Sequence, residues 1–250
     1  MKRIAITFTF FLTFLISQNG YGQDTLKATY GNFSTELNVN LFQGQLTLNN
    51  ALNQIKFRYM LPNSYAIRLE FTADSRKVVN NAENVYGTNP TKNNETMTTT
   101  MIGINFGFEK HFAGTKRLSP YIGGELAIGY KWSKDVDETS TLTTTIKGAW
   151  QEYQIIQTSN GSYSYTSYSG ERGFFSYGLN FVTGFDFYIA KHLFIGYEME
   201  FGFTQKNYSN IDITYSGSSS PTNSPSTDYD DREFSFGPKI INGIRIGYVF

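Results

Sequence analysis

The residues that could carry chemistry are few. The chain holds two histidines, His111 and His192, and no cysteine. Without cysteine there are no disulfides, no thiolate metal sites, no cysteine nucleophile and no lipid attached at a cysteine. Glu198 and Glu200 stand two apart, which puts two carboxylates on one face of a strand, an arrangement that could do acid–base work. Asp228, Asp230 and Asp231 could hold a cation, although a solvated acidic loop is the plainer reading. Both histidines sit beside short connections and the long connections carry none. A His/Ser/Asp triad on the long-connection side is therefore excluded. The glycines recur at spacings of two, four or six rather than as a phosphate-cradling loop. The expectation is a non-enzyme with no catalytic residue, no cofactor and no metal site.

What remains are charges in a repeating context. Lys56, Arg58, Arg68, Lys131 and Arg245 share strand faces with Glu36, Glu70, Glu109, Glu125, Asp186, Glu198 and Glu200. The elements that place them are read from period-2 alternation. From Tyr65 to Thr72, one face is Tyr65, Ile67, Leu69 and Phe71; the other is Ala66, Arg68, Glu70 and Thr72. Eight such segments are expected, near Phe33–Leu41, Gln54–Leu61, Tyr65–Thr72, Thr98–Lys110, Tyr121–Trp132, Phe175–Phe187, Leu193–Phe203 and Phe234–Phe250. In the seventh, Phe194 breaks the pattern by sitting on the charged face.

The connections alternate in length. Short ones fall at Pro62–Ser64, Ala113–Ser119 and Ala190–His192. Long polar loops are expected at Ala73–Thr96, Ser133–Arg172 and Gln205–Arg232, and Phe42–Asn53 is intermediate. Thr141–Ile146 and Tyr208–Tyr215 still look extended, as strands continuing beyond the main layer. Ser/Pro-rich Ser216–Thr227 resists regular structure.

The first residues stand apart. Lys2 and Arg3 precede the apolar run Ile4–Ile16, and Gly20-Tyr21-Gly22 supplies small residues before a cut. This is the anatomy of a secretory signal peptide over 1–22, cleaved between Gly22 and Gln23, leaving one domain over 23–250. The apolar run falls short of the roughly 20 residues a membrane helix needs. The chain has 21 basic and 21 acidic residues. Loss of Lys2 and Arg3 leaves 19 against 21, or −2, which gives no reason to expect a nucleic-acid partner.

Phe (22), Tyr (18) and Gly (23) are abundant, yet mean hydropathy is −0.34. Alternating strands with polar loops give that combination. Alternation alone leaves open which face meets solvent, and a soluble lipocalin-like binding barrel would bury the aromatic face. Three features favour the reverse. Gly103, Gly107, Gly123, Gly129, Gly178, Gly184, Gly196, Gly202, Gly243 and Gly247 share the charged face; in a narrow eight-stranded lumen they leave room for large side chains from across the barrel. The charges on that face nearly cancel, as ion pairs in a sealed interior must. The chain ends Tyr248-Val249-Phe250 in register with the oily face, and aromatics recur at strand ends where an interfacial girdle would sit. The fold class expected is all-β: a transmembrane antiparallel up-and-down β-barrel of eight strands, with short periplasmic turns and long extracellular loops.

The sequence resembles the outer-membrane β-barrel proteins of the Bacteroidota, related in architecture to OmpA and OmpX barrels. The resemblance rests on Ile55-Lys56-Phe57-Arg58-Tyr59 with the tight turn and Ala66-Ile67-Arg68-Leu69, on Leu118-Ser119-Pro120-Tyr121-Ile122-Gly123, and on Ile244-Arg245-Ile246-Gly247-Tyr248-Val249-Phe250. It implies outer-membrane localisation and outer-membrane lipid as surroundings. It also implies periplasmic chaperones and the barrel-insertion machinery as assembly partners, with Tyr248 and Phe250 as the C-terminal assembly signal. The glycine spacing around Arg245 departs from the proteobacterial form of that signal. No peptidoglycan-binding domain after Phe250 is expected. The functional expectation is a monomer with a plugged, ion-paired lumen, acting in envelope structure and in surface contact with protein or glycan through Tyr/Ser/Asn-rich loops. A narrow porin-like channel for small solutes is the alternative.

Overall fold

The computed structural model describes residues 26–39, 54–84, 91–157, 163–219, 221, 226–227, 230–240 and 244–250. The expected signal peptide, its Gly22/Gln23 cut and the Phe42–Asn53 connection lie outside them. The described chain is antiparallel β-structure throughout, apart from a single 3-10 turn at Pro62–Ser64. Fourteen strands follow in order: β1 (Phe33–Val39), β2 (Gln54–Met60), β3 (Tyr65–Asn84), β4 (Thr91–His111), β5 (Leu118–Thr139), β6 (Leu142–Lys147), β7 (Trp150–Gln157), β8 (Tyr163–Gly170), β9 (Phe174–Ala190), β10 (Leu193–Tyr208), β11 (Ile211–Gly217), β12 (Ser226–Thr227), β13 (Arg232–Ile240) and β14 (Ile244–Val249). Among the described residues no helix is long and apolar enough to cross a membrane.

Pairing runs β1–β2–β3–β4–β5, then β5–β9–β10–β14, and β14 pairs β1 again. The circuit is uneven. β3 and β4 stay paired from Tyr65–Lys110 to Asn84–Thr91, whereas among the described residues β10 meets β14 over Leu193–Gly196. Of the last expected strand, Arg232–Ile240 and Ile244–Val249 are described, as β13 and β14. Gly196 faces Arg245 on β14 and Met199 faces Ile240 on β13, so three steps along β10 correspond to five along its partner.

The expected long loops are corrected in part. Ala73–Thr96 is mostly ladder, because β3 and β4 continue as one hairpin far past the apolar belt. Thr96 and Thr98–Thr100 are polar but β-branched, so strand geometry suits them where apolar alternation has ended. β6 and β11 pair with each other beside β5, and β7–β8 form a separate two-stranded sheet. Trp150 anchors that sheet by donating its Nε1–H to the Thr98 carbonyl at 3.0 Å. The short turns stand as expected. At Pro62–Ser64 the chain reverses through Asn63 and Ser64 at φ near +60°, a conformation Asn tolerates better than most residues.

Exposure alternates along the wall strands, with the polar face inside. Leu179 is 55% and Phe181 52% exposed, while Arg68 is fully buried and Glu125 1% exposed. A small apolar cluster of Tyr188, Phe194 and Val249 lies at the short-turn end, with Leu26 and Ala28 packed on it.

Candidate functional site: a buried ion-pair network

The interior face is built by strands that each contribute one or two charged side chains at every second residue. Arg68 on β3 is central. Its Nη1 lies 3.0 Å from Glu109 and 3.1 Å from Glu198; its Nη2 lies 2.8 Å from Glu198 and 3.1 Å from Glu125, and it also pairs with Glu70. Lys56 on β2 bridges Glu70 and Glu198 at 2.7 Å each. Arg58 holds Asp186 at 2.8 Å and Glu109 at 3.1 Å and pairs with Glu36. Arg245 on β14 pairs with Glu36 and reaches Asp186 at 3.2 Å. All these groups are buried. An isolated buried charge would be prohibitive, so the network persists only as a unit.

Further hydrogen-bonding side chains complete it. Tyr121 donates its hydroxyl to Glu198, and both Arg58 and Arg245 lie over the Tyr121 ring at 5.5 and 5.4 Å. His111 bridges Ser119 and Glu109 at 3.0 and 3.1 Å. Asn180 donates to Glu125 and Glu200, and its oxygen accepts from Lys239 at 3.0 Å.

The glycine pattern has a local cause. Gly196 faces Arg245, Gly184 faces Tyr121, Gly247 faces Phe194 and Gly107 faces Glu125, each as the directly opposed cross-strand residue. A Cβ on Gly196 would lie 2.7 Å from the Arg245 guanidinium, and one on Gly247 would lie 2.1 Å from the Phe194 ring. The room is therefore made for a neighbour on the adjoining strand, not for one across the interior as expected. Opposed Cβ positions are only about 5 Å apart, too close for two bulky groups that both turn inward.

Lys131 stands apart from the network. It pairs with Glu171 at 2.5 Å on a tier nearer the long connections, where Arg76 also approaches Glu171 at 3.6 Å. Glu200 is placed beside Glu70 and Glu125, the three offering oxygens within 4.8 Å of one another. No cation reaches Glu200 among the described residues. Of the acidic run, Asp230 pairs with Arg232 and Asp231 with Arg172, while Asp228 lies outside the described residues. Near the C-terminus, Phe250 donates its backbone N–H to the Phe33 carbonyl, and Tyr248 lies against Phe250 with ring centroids 5.0 Å apart.

A family model for OmpA-OmpF-like porins matches residues 42–214, more than half of this chain of 250 residues. The chain belongs to that family. No curated protein matches it. Solved structures of Ail, the attachment invasion locus protein of Yersinia pestis, are similar. Ail alone is 14% identical, and Ail in complex with the heparin analogue sucrose octasulfate is 13% identical. Each match covers 89% of this chain and 100% of the Ail chain, with a TM-score of 0.31. Likenesses this distant place no residue and no ligand.

The OmpA-OmpF-like porin family accounts for an outer-membrane β-barrel type of fold, and this chain's inward charges are arranged on it. Sequence reasoning missed several members of the interior set. Tyr121 and His111 share parity with Glu125 and Glu109, and Lys239 shares it with Arg245, so alternation could have found them. Phe194, noted only as an exception, forms the apolar floor, with Arg58 over its ring at 5.2 Å.

Proposed function

We propose that the mature chain is a closed, eight-stranded outer-membrane barrel whose sealed interior makes it a rigid support for extracellular strands, not a conduit. One observation carries this reading. The charged side chains of the network are buried and, Glu200 apart, mutually paired, while Phe106, Phe108, Leu126, Leu179 and Phe181 are about half exposed on the outside. In water that distribution is inverted, and in a bilayer it is the stable one. It also argues against a soluble lipocalin-like barrel. The charge network fills the mid-section and the Tyr188–Phe194–Val249 floor underlies it, which favours a plug over a narrow channel.

On this reading residues 1–22 are a signal peptide cut before Gln23, and the protein is a monomeric, multi-pass outer-membrane protein of a Bacteroidota type. Its role is non-enzymatic, in envelope structure and surface contact with protein or glycan. Lys56, Arg58, Arg68, Glu70, Glu109, Glu125, Asp186, Glu198, Glu200 and Arg245 act as the plug, with Lys131 on a separate tier. Tyr248 and Phe250 serve assembly. The test is conductance of the refolded protein in planar bilayers, alongside its gel mobility before and after boiling. A heat-modifiable band with no conductance above baseline is expected. Steady single-channel currents from the same heat-modifiable material would replace the plug with a pore.

A further inference from the structure

The outer face of the strands beyond the apolar belt carries a group of lysines that the interior network does not use. Trp132, 41% exposed, closes the apolar belt on β5, with Tyr130 beside it at a ring separation of 5.7 Å. Two residues on, about 7 Å farther along the strand, the same outer face presents Lys134. The register sets Lys147 of β6 directly opposite Lys134. On the other side Lys134 opposes Thr98, which opposes Lys77 of β3. All three lysines are exposed. Among the described residues none of them makes an ion pair. The flanking cross-strand residue of Lys147 is Asp212, and no ion pair joins the two.

Like charges directly opposed on a sheet destabilise it. Lysines on sheet edges have a use, since they block pairing with other chains, but β5 and β6 are interior strands here, with β11 covering the far side of β6. Edge protection does not account for the pair. A counter-charge outside the chain does. Tryptophan marks the membrane interface, so one step beyond Trp132 lies the level of the lipid headgroups, and long lysine side chains reach toward that level readily.

We propose that Lys134 and Lys147, with Lys77 beside them, form a binding face for the phosphate groups of outer-leaflet lipid. The inference rests on the outward orientation of the oily face proposed above. The hydroxyl of Thr98, between Lys77 and Lys134, offers a further hydrogen bond to a phosphate oxygen. The face continues the lipid-facing belt and commits the protein to an anionic leaflet on that side.

The test uses the full mature chain refolded in zwitterionic phosphocholine micelles and titrated with a bis-phosphorylated lipid A. Binding is followed through Trp132 emission; Trp150, 3% exposed, contributes little to a change at the surface. Each basic residue near an anionic lipid surface is worth about fivefold in affinity. Lys134→Gln with Lys147→Gln should therefore weaken binding by roughly twenty-five-fold, and Lys134→Arg with Lys147→Arg should retain it. Raised salt should weaken wild-type binding and leave the double Gln variant nearly unchanged. Equal binding by wild type and the double Gln variant overturns the proposal. So does an equal response to phosphatidylcholine, to inorganic phosphate or to a soluble sulfated glycan. Cold-gel mobility of each sample separates the two readings. A folded barrel indifferent to lipid A refutes only this inference, whereas material that never gives a heat-modifiable band refutes the barrel and this inference with it.

Discussion

Replacing Arg68 by Met tests the interior network where it is most concentrated. Arg68 touches Glu70, Glu109, Glu125 and Glu198, and the four would not suffer equally. Glu109 keeps Arg58 and His111; Glu198 keeps Lys56, Arg245 and the Tyr121 hydroxyl; Glu70 keeps Lys56. Glu125 keeps only the neutral amides of Asn105 and Asn180. Breaking a buried pair from one side costs about 3–5 kcal/mol, which is roughly two to nearly four powers of ten in the unfolding equilibrium. Most of it should reside at Glu125. Adding Glu125→Gln to Arg68→Met should then recover about 2 kcal/mol as a coupling term, whereas adding Glu109→Gln should recover little. Urea unfolding in lipid vesicles, followed by tryptophan emission and cold-gel mobility, reads both quantities. An Arg68→Met barrel within about 0.5 kcal/mol of wild type, the range of an ordinary surface substitution, would mean a wet interior with screened charges. Rescue by Glu109→Gln as large as that by Glu125→Gln would refute the assignment of partners.

Three further outcomes are expected. Leu126→Arg, at an outward position between Phe106 and Leu179, should destabilise the protein by about 2–4 kcal/mol in a bilayer, and a near-zero effect in vesicle unfolding would place that face in water. Gly247→Ala should cost about 1–3 kcal/mol through contact with the Phe194 ring, with Phe194→Leu recovering much of it in the same unfolding measurement. Above the belt, burial and the nearby Glu95 and Asp137 carboxylates push the Asp135 carboxyl above its usual range, against the Gln151 N–H that it accepts at 3.1 Å. A raised carboxyl binds protons more tightly folded than unfolded, so its contribution is full below the unfolded value and declines as pH rises from there through the folded one. Asp135→Asn should remove that decline, read as unfolding free energy in vesicles across the acid-to-neutral range, and a variant that loses stability with rising pH as steeply as wild type would contradict it.

By itself the sequence determined the face of each residue. Strict period-2 alternation leaves a strand no choice of which side chains travel together, so Arg68 and Glu70, or Glu198 and Glu200, were bound to share a side whatever the strand met. It also fixed the short reversals, since Pro62-Asn63-Ser64 can turn the chain locally. Who meets whom was decided only in three dimensions. Register is a relation between strands, and a shift of two residues keeps every face intact while changing every partner, as the offset between the β13 and β14 registers on β10 illustrates. That is why Glu125 could be assigned inward but not to Arg68, and why Lys131 shared parity with the network yet pairs with Glu171 on another tier. The reach of β3, β4 and β5 beyond the apolar belt was hidden for a related reason. There the strands are held by backbone pairing between polar, β-branched residues, which leaves no trace in the oily pattern from which strands are read.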